Sequence, residues 1–244
     1  MSLTREQAAG RIMVALDYPD AVAAERLIEG LKGIPCYMKV GMQLFYAAGP
    51  GFVASLKERG YYVFLDVKMH DIPNTVKGGA SSVTRLGVDM FNVHAAGGAA
   101  MLEAALEGAQ AAVSGGAAMP AVIAVTQLTS TNQSMLNEQI GIPGTVEDAV
   151  IRYAKLAKSS GLAGVVASPS EVAAIKAACG TSFQTVTPGI RPVGSAVHDQ
   201  SRIMTPGDAL RQGTDFMVIG RPITAAPDPR VALESIIEEL ISVE

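Results

Sequence analysis

The stretch YVFLDVKM (62–69), continued by HDIPNT (70–75), decides how the chain is read. Tyr62 to Leu65 make a short apolar run rich in β-formers, the pattern of a parallel strand covered on both faces. Charge enters only at its far end, where Asp66 and Lys68 stand one residue apart. Pro73 then rigidifies the turn into an amphipathic stretch long enough to be a helix. The unit is a strand followed by a helix.

The same unit recurs on either side. RIMVALD (11–17), YMKVG (37–41), DMFNVHA (89–95), AVIAVTQL (121–128), GVVAS (164–168), FQTVTPGI (183–190) and FMVIG (216–220) read as seven further strands. Between them lie helical stretches, one starting after Thr145 with Glu147 and Asp148 in its first turn and ended by Gly161, another over Asp228 to Leu240. Eight βα units are the number that closes a barrel, so the expected architecture is α/β, a (β/α)8 TIM barrel, in a single domain over 1–244. An open doubly wound sheet is the runner-up, but G-x-G-x-x-G is absent after the first strand.

Composition bounds the partners. With 49% apolar and 17% charged residues, the 244-residue chain can bury a sizeable core, so disorder explains none of its long stretches. A net charge of −4 offers no basic surface to nucleic acid or an anionic membrane, and any phosphate must be gripped locally. Cys36 and Cys179 lack C-x-x-C spacing and read as buried reduced thiols. The start MSLTREQAAG is not a long apolar stretch, and no later run approaches the ~18 residues of a membrane span, so a soluble cytoplasmic protein is expected.

In a barrel the carboxyl ends of the strands carry the active site, which makes polar residues there candidates for chemistry. The first strand run ends in Asp17, the second carries Lys39, and the third carries Asp66 and Lys68, which period-two geometry points to the same face. Asp71 follows as a second carboxylate, close to both. A Schiff-base lysine is disfavoured, because neighbouring carboxylates favour its ammonium form. Paired carboxylates can hold Mg²⁺, but the interleaved lysines already compensate their charge, so a metal is the second choice and the expected set of metal ligands is none. An ammonium held by carboxylates can stabilise a developing carbanion and then protonate it, which suits decarboxylation. The structural alternative is a satisfied ion-pair network at a strand end, an expensive arrangement to bury for stability alone.

Near the carboxyl terminus, TPGIRP (187–192) follows the seventh strand and IGRPIT (219–224) the eighth, where barrels commonly bind phosphate. Backbone N–H groups near Gly220, with the guanidinium of Arg221, could accept a dianion there. Arg191 and Gln200 are weaker candidates for the same end, since an arginine can simply face solvent.

With these pieces in place, the chain resembles the orotidine 5'-phosphate decarboxylases of the bacterial type over nearly its whole length. The resemblance rests on ALD (15–17), KVGMQLFY (39–46), FLDVKMHDIPNT (64–75), NVHAAGG (92–98), VTQLTST (125–131), TPGIR (187–191), DQSR (199–202) and IGRPIT (219–224). It implies a cofactor-free decarboxylation of orotidine 5'-phosphate to uridine 5'-phosphate (UMP), the last step of de novo UMP synthesis, in a homodimer. By the same resemblance Lys39, Asp66, Lys68 and Asp71 form the catalytic charge network, Lys68 donates the proton, and Asp71 reaches the partner's site with Ile72 and Thr75. Asp17 and Lys39 contact the ribose, Thr129 and Ser130 lie near the substrate, Pro188 is substrate-binding, and Arg191, Gln200, Gly220 and Arg221 serve the phosphate end. His94, at a strand end beside two glycines, reads as structural. Two alternatives stay open. One is a Mg²⁺-dependent sugar-phosphate decarboxylase or epimerase sharing D-x-K-x-x-D, against which Lys39 argues, because those relatives are expected to carry a carboxylate there. The other is a non-catalytic nucleotide-binding barrel.

Overall fold

The computed structural model describes residues 3–116, 118–192 and 204–243. Eight strands, β1 (Ile12–Ala15), β2 (Tyr37–Gly41), β3 (Tyr62–Met69), β4 (Met90–His94), β5 (Ala121–Val125), β6 (Gly164–Val166), β7 (Gln184–Thr187) and β8 (Phe216–Ile219), close into one parallel barrel in sequence order. β8 pairs with β1, so no sheet edge is left and the open-sheet alternative is overturned.

The helices are α1 (Arg5–Ala9), α2 (Ala21–Gly30), α3 (Met42–Glu58), α4 (Pro73–Thr84), α5 (Gly98–Ala112), α6 (Val146–Ser159), α7 (Val172–Cys179), α8 (Pro206–Arg211), α9 (Arg221–Thr224) and α10 (Pro229–Ile241). The start of α6 follows from its first residues, since Thr145 and Asp148 cap one another reciprocally. Asp228 caps α10 by accepting from Arg230 and Val231. No helix among the described residues is long and apolar enough to cross a membrane.

Two layers of apolar side chains result from the strand alternation. Met13, Phe64, Met90, Ile123 and Val186 fill the barrel interior, while Ile12, Val14, Met38, Leu65 and their neighbours pack outward under the helices. Both cysteines are buried and unpaired, and burial pushes the Cys36 thiol up to about 12. That apolar floor closes the barrel from below. Whatever binds must do so at the strands' carboxyl ends.

The amino-terminal ends carry two matching staples four units apart. Lys57, on α3, reaches the Tyr61 carbonyl (3.0 Å) and Asp89 (2.6 Å), and Asp89 accepts the Val63 amide (2.7 Å). Lys176, on α7, reaches the Phe183 carbonyl (2.8 Å) and Asp215 (2.6 Å), and Asp215 accepts the Thr185 amide (2.7 Å). Each staple ties a helix to the start of the next strand and to the residue before the one after. Asp215→Ala should therefore cost about 2–3 kcal/mol of stability, as for loss of hydrogen bonds to a charged group, with turnover at 25 °C unchanged. Denaturant unfolding checks this, and an unchanged midpoint would contradict it.

Candidate active site

Four of the expected side chains meet at the barrel mouth. Lys39 Nζ lies 3.2 Å from Asp17 Oδ1 and 3.5 Å from Asp66 Oδ2, and Lys68 Nζ lies 2.6 Å from Asp66 Oδ1. The Lys39 side chain is only 8% exposed and that of Asp66 14%, so these charges need one another as partners. Burial pushes the Asp66 carboxyl up. Lys39, Lys68 and hydrogen bonds from Lys68 and Asn92 outweigh that, leaving it below the ordinary carboxylate value.

Asp66 and Lys68 are neighbours for a different reason from the one expected. β3 is not regular there, because Leu65 pairs with Phe91 and Met69 with Val93, four steps against two. The extra residues form a bulge, and Lys68 sits in it with φ 50°, a left-handed conformation uncommon outside glycine. The bulge re-aims Lys68 so that its ammonium folds back onto Asp66. A regular strand would only have placed them on a common face.

Asp71 departs from the spacing-based expectation that it sits close to Asp66 and Lys68. It is exposed, its Oδ1 accepts the Ile72 amide at 2.6 Å, and it pairs with neither lysine within the chain. The cause is the turn into α4, which carries Asp71, Ile72 and Thr75 outward, Ile72 being 67% exposed. Asp17 also lies beyond its strand, two residues after β1 ends. Lys39 lies within β2 and Asp66 and Lys68 within β3, whereas β5 ends at Val125 and β7 at Thr187, so Thr129, Ser130, Pro188 and Arg191 come from the loops beyond.

One cavity of about 610 Å³ joins the ionic cluster to the other expected positions. Asp17, Lys39, Asp66 and Lys68 line it together with Thr129, Ser130, Pro188, Arg191, Gly220 and Arg221. Arg191 is buried and donates to the Ile190 carbonyl at 2.8 Å, while its Nε has no partner among the described residues. Burial and the nearby Arg221 push its pKa down, so two cations are held close together at this end. Arg221 opens the short helix α9, with Gly220 before it. Gln200 lies outside the described residues.

A sequence profile described as the orotidine 5'-phosphate decarboxylase / HUMPS family matches residues 10–236. The chain belongs to that family. Curated relatives named orotidine 5'-phosphate decarboxylase include one from Moorella thermoacetica, 52% identical over 239 residues, covering 98% of this chain and 95% of the relative. Another, from Cutibacterium acnes, is 52% identical over 226 residues, covering 93% and 94%. A crystal structure of orotidine 5'-phosphate decarboxylase from Lactobacillus acidophilus superposes with TM-score 0.86 at 40% identity, covering 94% of this chain and 98% of that one.

Within this member of the orotidine 5'-phosphate decarboxylase family, sequence reasoning missed one residue bonded to the ionic cluster and one lining the cavity. Asn92, fully buried in β4, donates to Asp66 Oδ1 at 2.7 Å. Its signal was a lone amide inside the apolar run MFNVH. Gln127 lines the cavity, on the inward face above Val125 and Ile123, since the ladder continues through the Thr126 amide to the Val166 carbonyl. His94, by contrast, accepts the Ala96 amide at 3.2 Å and stacks on His70 with ring centroids 5.3 Å apart.

Burial, then His70 and Lys68, hold the His94 pKa below the ordinary histidine value. For a base lowered in this way, the unfolded chain takes up more protons once pH drops below about 6.5. Stability should then decline as pH falls from there toward the folded value. His94→Gln should flatten that decline in Tm measured against pH, and parallel curves would contradict the assignment.

Proposed function

We propose that the chain, as one domain over 1–244, decarboxylates orotidine 5'-phosphate to UMP and carbon dioxide without a cofactor. The observation that carries this reading is the single cavity lined both by an alternating Asp17–Lys39–Asp66–Lys68 array and by Arg191 and Arg221. A dianionic phosphate between the two arginines relieves their mutual repulsion, which fixes the substrate's orientation. Its orotate carboxylate then faces the ionic array.

Next to Asp66, that carboxylate would be repelled by roughly 4 kcal/mol at ~4 Å and an effective dielectric of 20, and loss of carbon dioxide removes the repulsion. The electron pair of the breaking C–C bond stays on C6 as a carbanion. The Lys68 ammonium, held by Asp66, stabilises it and transfers a proton to it. Asp17 and Lys39 take the ribose hydroxyls, Thr129 and Ser130 the pyrimidine side, and Pro188, Gly220 and Gln200 the phosphate side. For the cofactor-free reading, the support is donor chemistry. Ammonium groups already sit at both oxygens of Asp66, and one sits at Oδ1 of Asp17, where a divalent cation would have to compete with them.

We further propose that the active unit is a homodimer in which Asp71, Ile72 and Thr75 complete the partner's cavity. Their exposure on the single chain supports this. Mixing and re-associating inactive Lys68→Ala and Asp71→Ala proteins should restore roughly a quarter of the sites, because one site of each mixed dimer is then intact. No recovery would contradict shared sites. Chromatography of orotidine 5'-phosphate incubated with the protein tests the function itself, with UMP expected. Unchanged substrate, with a sugar phosphate consumed only when Mg²⁺ is added, would favour the metal-dependent alternative.

A further inference from the structure

We infer that Asn92 is the positioning residue for the Asp66–Lys68 couple, one amide fixing both the carboxylate and the backbone of the lysine. Its Nδ2 donates to Asp66 Oδ1 at 2.7 Å while its Oδ1 accepts the Lys68 backbone N–H at 2.8 Å. Only this orientation of the amide pairs both ends, since the flipped one would set oxygen against carboxylate and N–H against N–H. Asn92 has no solvent exposure, so neither bond is shared with bulk water. A buried amide with both ends satisfied is rigid, and losing either bond strands a polar group.

The two bonds do different work. The bond to Lys68 N–H closes the bulge of β3 at the residue with φ 50°, a conformation that needs an external partner to hold it. The bond to Asp66 divides the carboxylate. Oδ1 takes Asn92 and Lys68 Nζ, leaving Oδ2 for Lys39. Four groups thus face Asp66 or its nearest partner: Lys39 from β2, Lys68 from β3, Asn92 from β4, and Asp17 through Lys39. Asn92 is the neutral member, and it favours the ionised carboxylate without competing for the lysines.

The consequence for turnover rests on the decarboxylase reading, but the geometry does not. Titration of the Asp66 carboxyl, followed by ¹³C NMR in the ligand-free full chain, separates the two. Asn92→Ala, and the near-isosteric Asn92→Leu, which loses both bonds without adding a charge, should each raise the Asp66 midpoint by about one to two pH units. Turnover should fall by about 10- to 100-fold in kcat with KM little changed, and the acid limb of the rate profile should move up with the midpoint. An unmoved midpoint in folded Asn92→Leu overturns the inference, as does native kcat in that variant. If the native protein leaves orotidine 5'-phosphate untouched, the decarboxylase reading fails and the NMR titration still decides the placement of Asn92.

Discussion

Lys68→Ala should lower turnover of orotidine 5'-phosphate by at least about 10⁴-fold while the barrel stays folded, because one group supplies both charge stabilisation and the proton. The fold should survive. Asp66 keeps Lys39 and Asn92 as partners, so its charge is not stranded, and an alanine in the bulge carries the same left-handed cost as the lysine. Circular dichroism should match the native chain, and UMP should still bind through the phosphate end. Appreciable residual decarboxylation would refute Lys68 as the proton donor and shift the role to another acid or to water.

Arg221→Ala should cut kcat/KM by about 10³-fold, the scale of losing a bidentate charge-assisted contact to a dianion. Part of the loss should appear in kcat. Phosphate binds far from the breaking bond, and its binding energy serves to align and enclose the reacting end, so weakening that grip raises the barrier as well as the dissociation constant. A kcat/KM near native would place the phosphate elsewhere in the cavity.

The architecture was legible because strands covered on both faces must be apolar throughout, and eight such runs separated by helical stretches leave few topologies. Lys39, Asp66 and Lys68 stood out for the same reason, as charges inside runs that otherwise exclude them. What the sequence hid was relational. The bulge at Lys68 depends on the register between β3 and β4, which local periodicity does not encode, so the right neighbours were expected for the wrong geometric cause. Asp71 looked close to Lys68 because it is three residues away, whereas the turn into α4 carries it outward. Asn92 was quoted within a motif but passed over, since a single amide in a strand shows its importance only when both of its partners are seen.

Adding purified native protein to orotidine 5'-phosphate in buffer containing EDTA, and following the substrate's absorbance, tests the central claim most directly. Rapid loss of absorbance by the native chain, and none by Lys68→Ala, is the expected result. Unchanged absorbance with the native chain would contradict metal-independent decarboxylation at this site.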